Sequence, residues 1–425
     1  MLATLPLRTA ALLPLTGRRL LSAKVGNVKL SGTKELMVTL NNKDSVFHAS
    51  WLSHNCFCEK CRQESSGQRL ARAKDDSTIS SAKAVDGGRK LVVEFSKGHT
   101  GEFSAEWLDS NRYDLATMNE ERSRLAALSK TRPKKGPFRT TFSRATGSKE
   151  GTLEWMEAVI DQGVVVVENT PPVEKTLLEF ISTTGCDSSH RLYGTTFVVE
   201  ATANPINVAY SSEALDAHQD LAYYESPPGI QLLHCLEFDS KIEGGNSTFV
   251  DGHAAAELLR EKHPASFEAL CRIPATFQKD HVRRADPAKM FYQRPHILTN
   301  NFGDVTAIFW APPFEGPLRV PPADVETYFK AYADFEAILK SDELWKEYGI
   351  EFRLRPGDLV VFNNRRYLHG RAAFKVPLNC EGRRKLHGCY LEMDRFLNRV
   401  RVMNWEQKQI EAFQLRSRPG TSDYR

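Results

Sequence analysis

The sequence predicts a mixed, mainly β fold: a double-sheet jelly roll with flanking helices, preceded by a small β-rich zinc-binding domain. Three observations carry this. Short apolar runs bounded by turns recur, such as Gly163-Val164-Val165-Val166-Val167, and Arg355-Pro356-Gly357-Asp358 feeding Leu359-Val360-Val361-Phe362. A few helices come first and many short strands follow, with no internal repeat. Near the N-terminus, Cys56, Cys58 and Cys61 crowd into six positions.

At 425 residues and 41% apolar, the chain is long enough for two or three domains with a sizeable core. Charged residues make up 26%, an ordinary globular share, which argues against wholesale disorder. The net charge of +4 gathers largely at the N-terminus and in one candidate linker, so it marks no nucleic-acid surface. No run of 18 apolar residues occurs, so no helical membrane span is expected. Eight cysteines in so long a chain make no disulfide scaffold; their clustering points to metal in a reducing compartment.

Residues 1–34 carry Arg8, Arg18, Arg19, Lys24, Lys29 and Lys34 with no acid before Glu35. That composition reads as a mitochondrial targeting segment, with a disordered arm on a cytoplasmic protein as the alternative. Residues 35–125 form the small domain. Leu36–Leu40 ends at the turn pair Asn41-Asn42, and Arg89–Phe95 ends at Lys97-Gly98, two strands with Trp51 and Trp107 in the core. Three cysteines at these two spacings would arise by chance only about 0.002 times, which favours a tetrahedral ion such as zinc. His99 is the candidate fourth ligand and His54 its local rival; with no position left for water, the site reads as structural. Residues 126–150, rich in Pro, Gly, Ser, Thr and cations, read as a linker.

The large domain is 151–425. Leu153–Ile160, Thr176–Ile181, His253–Lys262 and Pro264–Cys271 read as helices. The clearest helix opens at Pro321-Pro322-Ala323-Asp324, where Val325, Tyr328, Phe329, Tyr332, Phe335, Ile338 and Leu339 keep helical spacing as a packing stripe. Leu386–Met393 reads as the last strand and Trp405–Leu415 as a closing helix. His218-Gln219-Asp220 alone says little, since His followed two places on by an acid should occur about 1.5 times by chance. Its setting adds weight. The turn Ser226-Pro227-Pro228-Gly229 and the strand Ile230–Leu236 follow it, and His369 lies just beyond the buried run 359–362. Two imidazoles and a carboxylate on one face of a metal make the facial triad that leaves three iron positions open.

The stretch from about Leu36 to Asn404 resembles the γ-butyrobetaine dioxygenase and trimethyllysine dioxygenase family, which depends on Fe(II) and 2-oxoglutarate. The resemblance rests on the Cys-x-Cys-x-x-Cys run with a later His, and on Asn207-Val208-Ala209-Tyr210, His218-Gln219-Asp220, Pro227–Cys235, Gly244-Gly245-Asn246-Ser247, Val250-Asp251-Gly252 and Leu368-His369-Gly370-Arg371. It implies iron at His218, Asp220 and His369, the catalytic centre, and zinc at Cys56, Cys58, Cys61 and His99. It also implies that Arg384 grips the far carboxylate of 2-oxoglutarate, helped by Ser247, as a planar guanidinium fork can. Arg383 or Lys385 would serve if the register shifts by one. Oxidation of 2-oxoglutarate by O2 to succinate and CO2 would drive hydroxylation of a substrate C–H bond, with ascorbate a candidate reductant.

Tyr193, Phe197, Tyr210 and Tyr390 match the family's aromatic cage, which suits a quaternary ammonium that has no donor to offer. As core aromatics they would need no such role. Asn207 matches the amide that receives the substrate carboxylate. Phe197 stands where the butyrobetaine branch has Trp, and Leu221 where it has Tyr; Tyr223 or Tyr224 would compensate. Phe309–Phe314 replaces an Asn-rich segment. The reading is therefore hydroxylation of γ-butyrobetaine to L-carnitine by a homodimer. Trimethyllysine or another quaternary ammonium acid is the first rival, and a non-enzymatic zinc-bearing binding module is the rival of another class.

Overall fold

The computed structural model describes residues 23–70, 77–120, 136–200, 212–283, 287–300, 302–375 and 383–408. The chain divides into an N-terminal unit ending at Ala127 and a larger unit from Leu128 to Gln407.

The first unit holds two antiparallel meanders. One is β1 (Val25–Ser31), β2 (Glu35–Leu40) and β3 (Lys43–His48); the other is β4 (Ile79–Val85), β5 (Lys90–Phe95) and β6 (His99–Ser104). Leu36, Val38 and Leu40 are buried while Met37 between them is exposed, the period-2 pattern of a sheet with one wet face. Asn41 and Asn42, both at positive φ (49° and 64°), make the tight turn into β3. Trp51 and Trp107 pack 5.1 Å apart in this core. One boundary moves. β1 lies inside the stretch read as targeting segment 1–34, because Ala23 and Val25 are buried and Val28–Ser31 pairs with Leu36–Val38 and Glu35. The sheet therefore starts before Glu35, and residues 1–22 lie outside the described residues.

The second unit is a sandwich. Its larger sheet has six strands in the order β7 (Phe138–Thr141), β8 (Val164–Glu168), β19 (Leu359–Asn363), β11 (Ile230–Phe238), β22 (Arg384–Leu391) and β9 (Phe197–Glu200). Its smaller sheet runs β10 (Leu215–His218), β20 (Tyr367–Arg371), β13 (Ser247–Asp251) and β18 (Gly349–Phe352). Short pairs complete it: β12 (Glu243–Gly244) with β21 (Phe374–Lys375), β14 (Ala275–His281) with β15 (Ala288–Arg294), and β16 (Ile297–Thr299) with β17 (Val305–Ile308).

Why the valine run is continuous is now clear. Val165 and Val167 face the helices Lys149–Asp161 and Glu174–Ser182 with Trp155 and Phe180, whereas Val164 and Val166 face inward with Phe249, Val360 and Phe362. A strand covered on both faces has no polar side to show. On the smaller sheet, Val250 and Leu368 turn outward to a third cluster built on the helices Gly252–Lys262, Pro264–Arg272 and Pro322–Leu339. Their neighbours Phe249 and His369 therefore turn inward.

Two further expectations change. The C-terminal part of the predicted linker 126–150 is structured: β7 pairs in parallel with β8, and the helix Phe142–Gly147 buries Ala145. Phe138 and Phe142 pack on the Trp155 cluster, and Arg139 pairs with Glu168 at 2.7 Å, so polar residues there hide a short edge strand. The closing helix spans Met393–Lys408 rather than starting at Trp405, with Phe396, Val400 and Met403 buried at helical spacing. Phe249, 1% exposed between the sheets, should be a keystone of this packing. Phe249→Ala is expected to lower the stability of the second unit by about 3–5 kcal/mol, measured by urea unfolding.

Candidate functional site

The antiparallel register of β10 and β20 sets His218 directly across from His369 and brings their rings to 4.4 Å between centroids. Asp220 follows on the turn that leaves β10. Its backbone is clamped by Asn364, whose side chain accepts from the Asp220 N–H at 3.2 Å and donates to the Asp220 carbonyl at 3.1 Å. The next residue, Leu221, sits at φ 60°, a left-handed conformation costly for a side chain with a Cβ.

One carboxylate oxygen faces each imidazole: Oδ1 lies 3.5 Å from His218 Nε2, and Oδ2 lies 3.8 Å from His369 Nε2. The His218 Nδ1–H donates to the Asp216 carbonyl at 2.9 Å, which fixes the tautomer and leaves Nε2 with its lone pair inward. Gln231 Nε2 and the Tyr390 hydroxyl each donate to Asp220 Oδ2 at 2.8 Å. They arrive together because Gln231 and Tyr390 are cross-strand partners on β11 and β22.

The electrostatics follow from this packing. Burial opposes charge on Asp220, but His218, His369 and the Tyr390 hydroxyl outweigh it and hold the carboxyl well below the usual range. Burial and the field of His218 push His369 down to about 3, so its ring is neutral. Burial also acts against charge on His218, yet contact with Asp220 raises it. Neutral imidazoles and an ionised carboxylate are the ligand forms a metal takes. The three groups each offer an atom within 4.8 Å of the others. Cis ligands about 2.1 Å from one ion lie about 3 Å apart, so an octahedral dication fits with little movement.

These groups line one cavity. At one end stand Ser247, Arg371 and Arg384. Ser247 is the cross-strand partner of Arg371, and Arg384 enters from β22. Burial and the neighbouring Arg371 push Arg384 down to about 10, and its buried Nε–H finds no acceptor among the described residues. A carboxylate ligand would answer both the charge and that donor. Arg383 is mostly exposed beside Glu200, and Lys385 bonds Glu174 at 2.8 Å, so the register puts Arg384 alone of the three in the wall.

At the other end are Tyr193, Phe197, Leu221, Phe314 and Tyr390. Phe197 stacks on Tyr390 at 5.0 Å, and Tyr193 lies 6.5 Å from Phe197. Gly388 makes room for this pair: a Cβ there would fall 2.4 Å from the Phe197 ring. Tyr223 and Tyr224 do not stand in for the missing aromatic at 221. Tyr223 is buried against Phe314 and Tyr193, and the Tyr224 hydroxyl accepts from the Leu192 N–H, so neither lines the cavity. Asn207 and Tyr210 lie outside the described residues. Gln231, Asn364 and Arg371 had no assigned role in the sequence, and only strand register could have drawn them in.

In the first unit, Cys56, Cys58, Cys61 and His99 also offer atoms within 4.8 Å of one another. His99 Nε2 is 3.2 Å from Cys56 Sγ and 3.6 Å from Cys61 Sγ, close to the edges of a tetrahedron with bonds of about 2.0–2.3 Å. His99 opens β6, and His54 is not part of the cluster. Burial raises the Cys56 thiol to about 12; on Cys58 burial is outweighed by hydrogen bonds from the other two thiols, which lower it.

With this geometry in place, comparison with known proteins is decisive for class. Residues 134–390 match the model of the "Taurine catabolism dioxygenase TauD, TfdA family", and residues 29–109 match "Gamma-butyrobetaine hydroxylase-like, N-terminal". The chain belongs to the TauD/TfdA family and is a 2-oxoglutarate-dependent dioxygenase, an oxidoreductase. That removes the non-enzymatic reading. Within the class, the chain is 31% identical to a gamma-butyrobetaine dioxygenase of Pseudomonas sp. (strain AK-1), over 84% of this chain and 91% of that one. It is also 31% identical to "Dioxygenase str8" of Strobilurus tenacellus, over 83% and 84%. To the mitochondrial trimethyllysine dioxygenase of Bos taurus it is 27% identical, over 84% and 82%.

Removing one donor from Asp220 should loosen the triad. Tyr390→Phe is expected to weaken Fe(II) affinity about 10- to 100-fold while leaving the fold intact, read by anaerobic metal titration alongside circular dichroism.

Proposed function

We propose that the enzyme hydroxylates γ-butyrobetaine to L-carnitine, with succinate and CO2 as coproducts. What carries the reading is a single chamber that joins a His-Asp-His triad, a cationic end suited to 2-oxoglutarate and a stacked aromatic pair suited to a quaternary ammonium. The gamma-butyrobetaine dioxygenase relative supports it. Phe197 and Leu221 give a less electron-rich wall than Trp and Tyr would, and the trimethyllysine dioxygenase relatives support that methylated lysine as the second reading.

In this mechanism His218, Asp220 and His369 would hold Fe(II), which with 2-oxoglutarate and O2 would supply the oxidation of a C–H bond. Arg384, with Ser247 beside it, grips the far carboxylate of the cosubstrate and so sets which way its keto-acid end points. Gln231 and Tyr390 donate to Asp220 Oδ2 and would hold the carboxylate in position for the metal. Leu221, Leu233, Phe314 and Leu386 keep the chamber apolar around the reacting carbon. The Cys56–Cys58–Cys61–His99 cluster binds zinc structurally, and the acid-poor N-terminal segment directs mitochondrial import.

The substrate reading is tested by succinate release from the Fe(II) enzyme with 2-oxoglutarate and a panel of betaines. γ-Butyrobetaine should raise the rate at least tenfold over the uncoupled background and yield L-carnitine; no response to any betaine contradicts it. For the small unit, Cys58→Ser should lose zinc by metal analysis while keeping iron. Retained zinc would show that the cluster is not the site.

A further inference from the structure

Phe238 closes β11 and is the cross-strand partner of Arg384 on β22. The Arg384 guanidinium carbon lies 5.3 Å from the Phe238 ring centroid and 5.9 Å from that of Phe374. The contacts continue on both sides, with Arg353 3.7 Å from the Phe238 centroid and Arg371 5.0 Å from that of Phe374. Three guanidiniums and two buried phenyl rings thus alternate, in the order Arg353, Phe238, Arg384, Phe374, Arg371. Arg371 and Arg384 are the members that line the cavity. Gly245, at φ 74°, packs against the middle of the ladder: a Cβ there would fall 3.1 Å from Phe238, 3.3 Å from Phe374 and 3.4 Å from Arg384 Nε.

What holds each guanidinium differs. Arg353 donates to the Gly244 and Asp239 carbonyls at 2.8 and 2.9 Å, and Arg371 to the Glu213 carbonyl. Arg384, 5% exposed, is held by the two rings, and its Nε–H finds no acceptor among the described residues. A carboxylate of the protein in that place would cancel the charge and occupy the planar fork. A π face does neither: it attracts the cation and leaves its N–H groups for a ligand. An arginine already fixed also loses less rotamer freedom when it grips that ligand.

We propose that Phe238 and Phe374 are positioning residues for the cosubstrate. Acting through Arg384, they keep its guanidinium in place, charged and with its donors unspent, so that an oxo acid is selected by its far carboxylate. This rests on the reading of Arg384 as the residue that grips 2-oxoglutarate, and it is independent of which C–H bond is hydroxylated.

The test is calorimetric binding of 2-oxoglutarate and of 2-oxopentanoate, which lacks only the far carboxylate, to the anaerobic Fe(II) enzyme. Wild type should prefer 2-oxoglutarate by about 100-fold, and Arg384→Met should erase that preference. Phe238→Leu and Phe374→Leu should each lower it about 5- to 30-fold, with 2-oxopentanoate affinity changed less than twofold. In uncoupled succinate release, the same variants should raise KM for 2-oxoglutarate and leave kcat within about twofold. Ring-fluorinated phenylalanines at 238 or 374, near in shape but poorer in π charge, should weaken 2-oxoglutarate binding progressively with each fluorine, which settles the matter should a leucine variant fail to fold. The proposal is overturned if the leucine variants keep the wild-type preference, if both acids weaken together as a packing defect would cause, or if affinity is flat across the fluorinated series. With the preference lost in Arg384→Met, those outcomes remove the roles of Phe238 and Phe374 alone. No preference in wild type, or its survival in Arg384→Met, removes the Arg384 reading as well.

Discussion

The pairing of β10 with β20 is the constraint on which the site depends. His218 and His369 are 151 positions apart in the chain, yet a ladder that aligns their Cα atoms leaves the rings little choice but to converge. A slip of one residue would turn His369 outward into the helical cluster and bring Leu368 in. The register is locked from the far side as well. β13 pairs with β20 so that Phe249 opposes His369, and Phe249 is held between the sheets by Phe352 and Phe362. Gly370 lets the strands approach, since a Cβ there would fall 2.5 Å from the Leu215 carbonyl oxygen. The hydrophobic sandwich thus sets the geometry of the polar centre.

Charge is distributed along the chamber with the same economy. The triad balances one carboxylate against two imidazoles, of which His369 is held neutral. Beyond it, Arg371 and Arg384 leave a net positive end whose buried donors suit a carboxylate from outside the chain. The Arg371 guanidinium is anchored by the Glu213 carbonyl, a neutral acceptor that positions it without cancelling its charge. Arg366 and Asp251, by contrast, form a closed buried pair at 2.9 Å, and the Asp251 carboxylate also caps the helix Gly252–Lys262.

Much of this was legible in the sequence. Runs such as Val164–Val167 and 359–362 announced strands buried on both faces, and the Asn41-Asn42 turn and the Pro-Asp helix start stand as expected. The triad, the cysteine cluster with His99, and Arg384 among its cationic neighbours were named by motif and found gathered. What was missed shares a physical cause: each depends on a partner distant in sequence. β7 is too polar to be recognised until Glu168 and the Trp155 cluster cover it. β1 resembles a basic leader until β2 lies alongside. Gln231 is one glutamine in a buried strand until Asp220 is placed above it.

The central claim is that His218, Asp220 and His369 share one iron. Iron-edge X-ray absorption on the anaerobic Fe(II) protein addresses it most directly. The account expects two imidazole nitrogens within an all nitrogen and oxygen shell at about 2.0–2.2 Å, and loss of one imidazole in His369→Ala. Sulfur scattering at iron, or an unchanged spectrum in that variant, would contradict it.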